Sequence, residues 1–138
     1  MASDLVVVGY LERVKLPDWG IDSIIAKLDT GAKTSTIHAE NIEETEDGHV
    51  NFDLILRRKG KNPIVPVNAK VVRKTSVRPS TGKAQNRYVV STRVVMGGIE
   101  KEIEVTLSSR KRMKRRMLLG RQALAGTFLV DAGQVHVL

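Results

Sequence analysis

Apolar residues along this chain fall mostly at alternate positions, in short runs separated by Gly, Pro and charged clusters. Ile103, Val105 and Leu107 alternate with Glu102, Glu104 and Thr106, the period of a strand with one buried face. Leu5–Leu11 reads as a first strand, Leu16–Gly20 as a turn around Pro17 and Trp19, and Ile21–Leu28 as a second strand. Thr34–Ala39 is extended, and Glu40–Gly48 is an acidic loop. His49–Arg57 and Pro63–Lys70 are two strands joined by the basic turn 58–62, and Val71–Lys74 continues outward to a turn-rich tip, Thr75–Asn86. Arg87–Met96 and Ile99–Leu107 form a hairpin over Gly97-Gly98. Leu118–Gly120 is then a loop, Arg121–Leu124 a short helix and Phe128–Val130 a further strand. The tail Val135–Leu138 is apolar to its last residue, which suits pairing with a neighbour. Trp19 is read as a cap on a hydrophobic patch, with a substrate contact as the alternative. The pattern predicts a mainly β chain in one domain, residues 1–138, with one short C-terminal helix and no long repeat or linker.

Composition narrows the core. Hydrophobic residues make up 41% of the chain but aromatics only 4%, so Val, Ile and Leu must fill the interior of a modest domain. There are no cysteines, which excludes disulfides, thiolate chemistry and Cys-type zinc sites. Met1–Asp4 lacks the basic segment and long apolar core of a signal peptide, and no run approaches a membrane span. The expectation is a cytoplasmic protein with no membrane partner.

Charge adds a partner class. Lys and Arg number 23 against 15 Asp and Glu, a net charge of +8 that favours acidic partners: nucleic acid, an anionic surface or an acidic polypeptide. Arg110–Arg116 holds six basic residues in seven. That run fits RNA binding through phosphate contacts, but no aromatic is interleaved, and a solvated loop fits as well.

The chemistry centres on Asp29-Thr30-Gly31-Ala32, which follows the apolar run from Ile24 to Leu28. The pattern places a carboxylate on a turn at a strand end. Thr30 is placed to brace the turn through its hydroxyl, and Gly31 allows either positive φ or close approach. A second apolar run, Met117-Leu118-Leu119, ends in Gly120-Arg121 and passes into the short helix. In that order the two stretches resemble the retropepsin family of aspartic proteases. The longer run Asp29–Ala39 with Leu118–Arg121 resembles a bacterial group within it. Its members are labelled ATP-dependent zinc proteases and are associated with the ligase that adds glutamates to a ribosomal protein.

The resemblance covers nearly the whole chain and implies a retropepsin-like closed β-barrel, the acid protease fold. It implies a catalytic Asp29, supported by Thr30, Gly31, Ala32, Gly120 and Arg121 in the loops around it. Amide hydrolysis by water needs one carboxylate to accept a proton and another to donate one. One Asp-Thr-Gly in 138 residues therefore implies a homodimer with Asp29 at the two-fold axis. Asp131-Ala132-Gly133 is read as a turn rather than a second copy. A flap is expected at Val77–Lys83, with Arg78, Gly82 and Lys83 as substrate contacts beside Lys33 and Thr34; an ordinary surface loop is the alternative.

Retropepsins often carry an acid where this chain has Lys33, so Arg121 must find another partner or face solvent. A basic cleft favours an acidic or glutamylated protein substrate. Neither ATP nor zinc in the group's label has support from residues. No Gly-x-x-x-x-Gly-Lys-Ser/Thr loop occurs, and His38, His49 and His136 lack ligand spacing, so no metal and no cofactor is expected. His38 is read as a packed or hydrogen-bonded residue. Two function classes stand: a dimeric aspartic endopeptidase, or a catalytically silent basic β-barrel module that binds RNA or a ribosomal or other protein partner.

Overall fold

A computed structural model of the chain describes residues 4–56, 64–77, 85–110 and 114–138. Its strands are β1 (Val6–Leu16), β2 (Ile21–Leu28), β3 (Ser35–Glu44), β4 (His49–Ile55), β5 (Ile64–Val77), β6 (Gln85–Met96), β7 (Ile99–Ser108), β8 (Met117–Leu119) and β9 (Phe128–Val135). One short helix, α1 (Arg121–Leu124), and a 3-10 turn at Pro17–Trp19 complete the described elements. The mainly β expectation and the helix bounds hold.

Local turn chemistry accounts for the hairpins. Gly97 and Gly98 both adopt positive φ, 59° and 78°, as a tight two-residue turn between β6 and β7 requires. Gly20 does the same at φ 68° after the 3-10 turn. Strand order runs β4-β5-β6-β7-β3-β8-β2-β1-β9. Further pairings of β4 with β3 and of β6 with β1 close two rings of hydrogen-bonded strands. Inside lie Val, Ile and Leu side chains, with Trp19 edge-on to Phe52 at a centroid distance of 5.7 Å. Trp19 is thus a cap on the core.

Several boundaries moved because strand pairing extends what local signals break. The acidic loop is strand as far as Glu44, and only Thr45–Gly48 turns. Ile42 packs on the core while Glu44 meets Lys74 Nζ at 2.7 Å. Asn41 takes φ 54° at the irregularity between Glu40 and Glu43. The loop expected at Leu118–Gly120 is instead β8 through Leu119. Asp131-Ala132-Gly133 lies within β9 rather than in a turn, although the Gly133 N–H does donate to Asp131 Oδ1 at 3.0 Å.

The apolar tail folds back on its own chain. The His136 N–H donates to the Leu11 carbonyl at 2.9 Å, and the Val137 N–H to Glu12 Oε2 at 2.8 Å. The buried Glu12 carboxyl group also accepts the Gly9 N–H at 2.7 Å. A Cβ on Gly9 would lie 2.5 Å from the Gln134 carbonyl oxygen, so β1 and β9 can pair here only around a glycine. Glu12→Ala removes the acceptor and leaves buried N–H groups behind. We expect a loss of about 1–3 kcal/mol in urea unfolding; unchanged stability would show that the tail holds without its anchor.

Candidate active site

β2 delivers Asp29 to the mouth of the site, and β8 holds it there. β8 pairs in parallel with β2 (Leu28 opposite Leu119) and antiparallel with β3 (Thr36 opposite Leu118), so three residues bridge two strands. The Asp29 N–H donates to the Leu119 carbonyl at 2.8 Å, which ties the turn to the end of β8. Within the turn the Ala32 N–H donates to the Asp29 carbonyl at 3.2 Å. The Gly31 N–H donates to Asp29 Oδ1 at 2.9 Å, so the backbone orients the carboxyl group. Asp29 is half-buried while Thr30 and Gly31 are exposed.

The second stretch locks onto the first through main-chain groups. The Arg121 N–H donates to the Ala32 carbonyl at 2.7 Å and the Gln122 N–H to the Lys33 carbonyl at 3.1 Å. The opening N–H groups of α1, which a helix cannot satisfy internally, are thus taken by the Asp29 loop. Gly120 donates its N–H to Ser35 Oγ at 3.0 Å. Its φ is an ordinary −93°, so close approach is what demands glycine: a Cβ would lie 2.4 Å from the Thr34 carbonyl oxygen. Arg121 Nη1 donates to the Thr30 carbonyl at 3.1 Å. That contact is the partner Arg121 needed with Lys33 in the acid's place.

A family profile described as retropepsin-like aspartic endopeptidase RimB, RimB-like, matches residues 7–137. The chain belongs to that family. A Legionella pneumophila protein, Lpg0085, titled as of unknown function, shares the fold at a TM-score of 0.80 and 30% identity, over 98% of each chain. Two relatives are each named probable alpha-L-glutamate ligase. That of Shewanella pealeana is 34% identical over 141 residues, all of this chain and 31% of its own length. That of Parasynechococcus marenigrum is 35% identical over 136 residues, 96% of this chain and 29% of its own length. The chain therefore spans about a third of the length of these relatives.

Within this family member the predicted support residues come together around Asp29, but some act differently from expectation. Thr30 engages Arg121 through its carbonyl rather than bracing the turn through its hydroxyl. Gly31 does not use positive φ; a Cβ there would meet Asp29 Oδ1 at 3.1 Å, so space beside the carboxyl group is what it provides. Lys33 is exposed and Thr34 half-buried. Arg78, Gly82 and Lys83, with nearly all of the expected flap, lie outside the described residues. Asp131 is two strands from Asp29, with β1 between β9 and β2.

Four residues of the neighbourhood were missed as a group: Ser35, Thr36, His38 and Arg110. His38 is buried, and its Nε2 lies 2.8 Å from Glu40 Oε2. The Arg110 N–H donates to His38 Nδ1 at 2.8 Å, so the other ring nitrogen carries the proton toward Glu40. Arg110 donates from Nε to the Arg115 carbonyl at 3.2 Å and from Nη1 to Thr36 Oγ1 at 3.3 Å. Burial lowers the Arg110 pKa from the usual arginine value, and the charge of Asp29 acts in the opposite direction. Thr36, His38 and Glu40 fall at alternate positions on one strand, and that spacing was the available signal.

Among the described residues no three His, Cys, Asp or Glu side chains gather as a metal-holding group, and His38 is engaged with Glu40 and Arg110. No helix among the described residues is long and apolar enough to cross a membrane.

Gly120→Ala drives a methyl group into the Thr34 carbonyl, and overpacking of this kind costs about 1–3 kcal/mol. We expect that loss in urea denaturation for Gly120→Ala and a smaller one for Gly31→Ala. Equal stability of Gly120→Ala and the parent would mean that the 32–34 backbone yields freely.

Proposed function

We propose that this chain is an aspartic endopeptidase that acts as a homodimer, one Asp29 from each subunit, on acidic or glutamylated protein substrates. The observation that carries the reading is the Asp29 turn itself. Its carboxyl group is held by the Gly31 N–H at one oxygen and flanked by exposed Thr30 and Gly31, on a loop tied down by Leu119. Two such loops on a two-fold axis would bring their carboxyl groups into contact, where repulsion keeps one proton between them. The ionised member then takes a proton from water as it attacks the amide carbonyl. The protonated member gives its proton to the carbonyl oxygen, and proton return to the amine releases the products. In this reading the two rings of paired strands are the closed barrel of the acid proteases.

The ligase name of the relatives attaches to proteins about three times as long. The ligase name is therefore not carried over to this chain, which spans about a third of their length. The net charge of +8 and the exposed Lys33 at the mouth support an acidic substrate. A silent RNA-binding scaffold is the weaker reading, because Arg116 of the basic run is buried rather than offered to phosphates.

Asp29→Asn keeps the shape of the turn and removes the proton chemistry. We expect cleavage of acidic peptides to fall by about 10²–10⁴-fold, with the dimer intact by analytical ultracentrifugation. An Asp29→Asn protein of undiminished activity, or a fully active monomer, would refute the dyad.

A further inference from the structure

We propose that Arg110 is a specificity-determining residue of the cleft, binding a carboxylate side chain of the substrate beside the bond to be cut. The proposal rests on the reading of Asp29 as the catalytic carboxylate and names the residue behind the acidic preference.

The first support is position. Arg110 reaches the hydroxyl of Thr36, which pairs with Leu118 on β8. The next residue of β8, Leu119, takes the N–H of Asp29. The guanidinium therefore stands over the strands that carry the catalytic turn, close enough for the charge of Asp29 to act on it.

The second support is partnership. Three cations of the described surface meet carboxylates, Arg93 with Asp18, Lys74 with Glu44 and Arg73 with Glu104, while Arg13, Lys101 and Arg121 donate to neutral oxygens. The described bonds of Arg110 go to a hydroxyl and a carbonyl, both neutral, from Nη1 and Nε. Among the described residues Nη2 meets no acceptor, which leaves that edge of the planar fork for an incoming carboxylate. A half-buried cation held by neutral acceptors keeps its charge available for an anionic ligand.

The third support is preorganisation. His38, itself buried and bonded to Glu40, pins the Arg110 backbone, while Thr36 and Arg115 pin the side chain. A guanidinium so fixed has little rotamer freedom left to lose when a ligand arrives. In a two-fold dimer there are two copies of Arg110, one on each side of the scissile bond. Such a cleft prefers carboxylates on both sides of the cut, a tract rather than a single acidic residue.

The test uses a fluorogenic peptide with glutamate at alternate positions and its counterpart with glutamine there. For the parent protein kcat/KM should favour the glutamate peptide. In Arg110→Ala the glutamate-to-glutamine ratio should fall by about ten- to a hundredfold, mainly through KM. Arg110→Lys should restore part of the ratio, and Thr36→Val, which releases Nη1, should lower it less. Equal loss on both peptides would overturn the proposal by reducing Arg110 to a structural role. A shifted pH optimum with the ratio untouched would also overturn it, since Arg110 would then act on Asp29 alone. Binding of the two labelled peptides to Asp29→Asn, with and without Arg110→Ala, separates the two readings. A parent that cleaves neither peptide removes the Asp29 reading, while the anisotropy preference still decides Arg110. Loss of that preference in the double variant sustains the proposal, and an unchanged preference ends it.

Discussion

The short strand β8 is the constraint on which the site depends. Met117, Leu118 and Leu119 are buried between β2 and β3 and hydrogen-bonded to both, so the Asp29 turn cannot shift without breaking two ladders. Immediately after β8, Gly120 lets the chain pass under the Thr34 carbonyl, and α1 begins on the carbonyls of Ala32 and Lys33. Two segments some ninety residues apart thus become one rigid platform. Its outward face carries the half-buried Asp29 carboxyl group, held by the Gly31 N–H.

Charge is placed differently at the surface and at the platform. Asp18 sits against Arg93, whose hydrogen bond holds its carboxyl pKa below the usual value, yet the pair is open to solvent and adds little to stability. Around the platform, side chains are fixed by a hydrogen-bond network: His38 through Glu40 and the Arg110 backbone, and Arg110 through Thr36 and a carbonyl. This second arrangement holds the Arg110 guanidinium on neutral acceptors, near enough for the charge of Asp29 to act on it.

The turns, the β class and the loop motifs were legible because each is written in contiguous residues. Gly97-Gly98 demands a hairpin, the alternation of Ile103, Val105 and Leu107 demands a half-buried strand, and Asp29-Thr30-Gly31 demands a tight turn. The gathering of Gly120 and Arg121 with Asp29 was also foreseeable, but only through resemblance. No local rule connects the two stretches.

Pairing across the chain decided the rest. Glu40–Glu44 became strand because His49–Ile55 supplied a hydrogen-bonding partner, and Asp131 pairs with Gly9 of β1 just before the register shifts to Val135 opposite Leu11. Arg110 belongs to a run of like charges in which no residue looks special, until His38, Thr36 and Arg115 single it out. Sequence determined which backbone conformations and buried faces each segment would accept, since those follow from side-chain shape and hydropathy over a few residues. Which charges stand beside Asp29 is a matter of contacts between residues more than seventy positions apart, and only the folded chain could decide it.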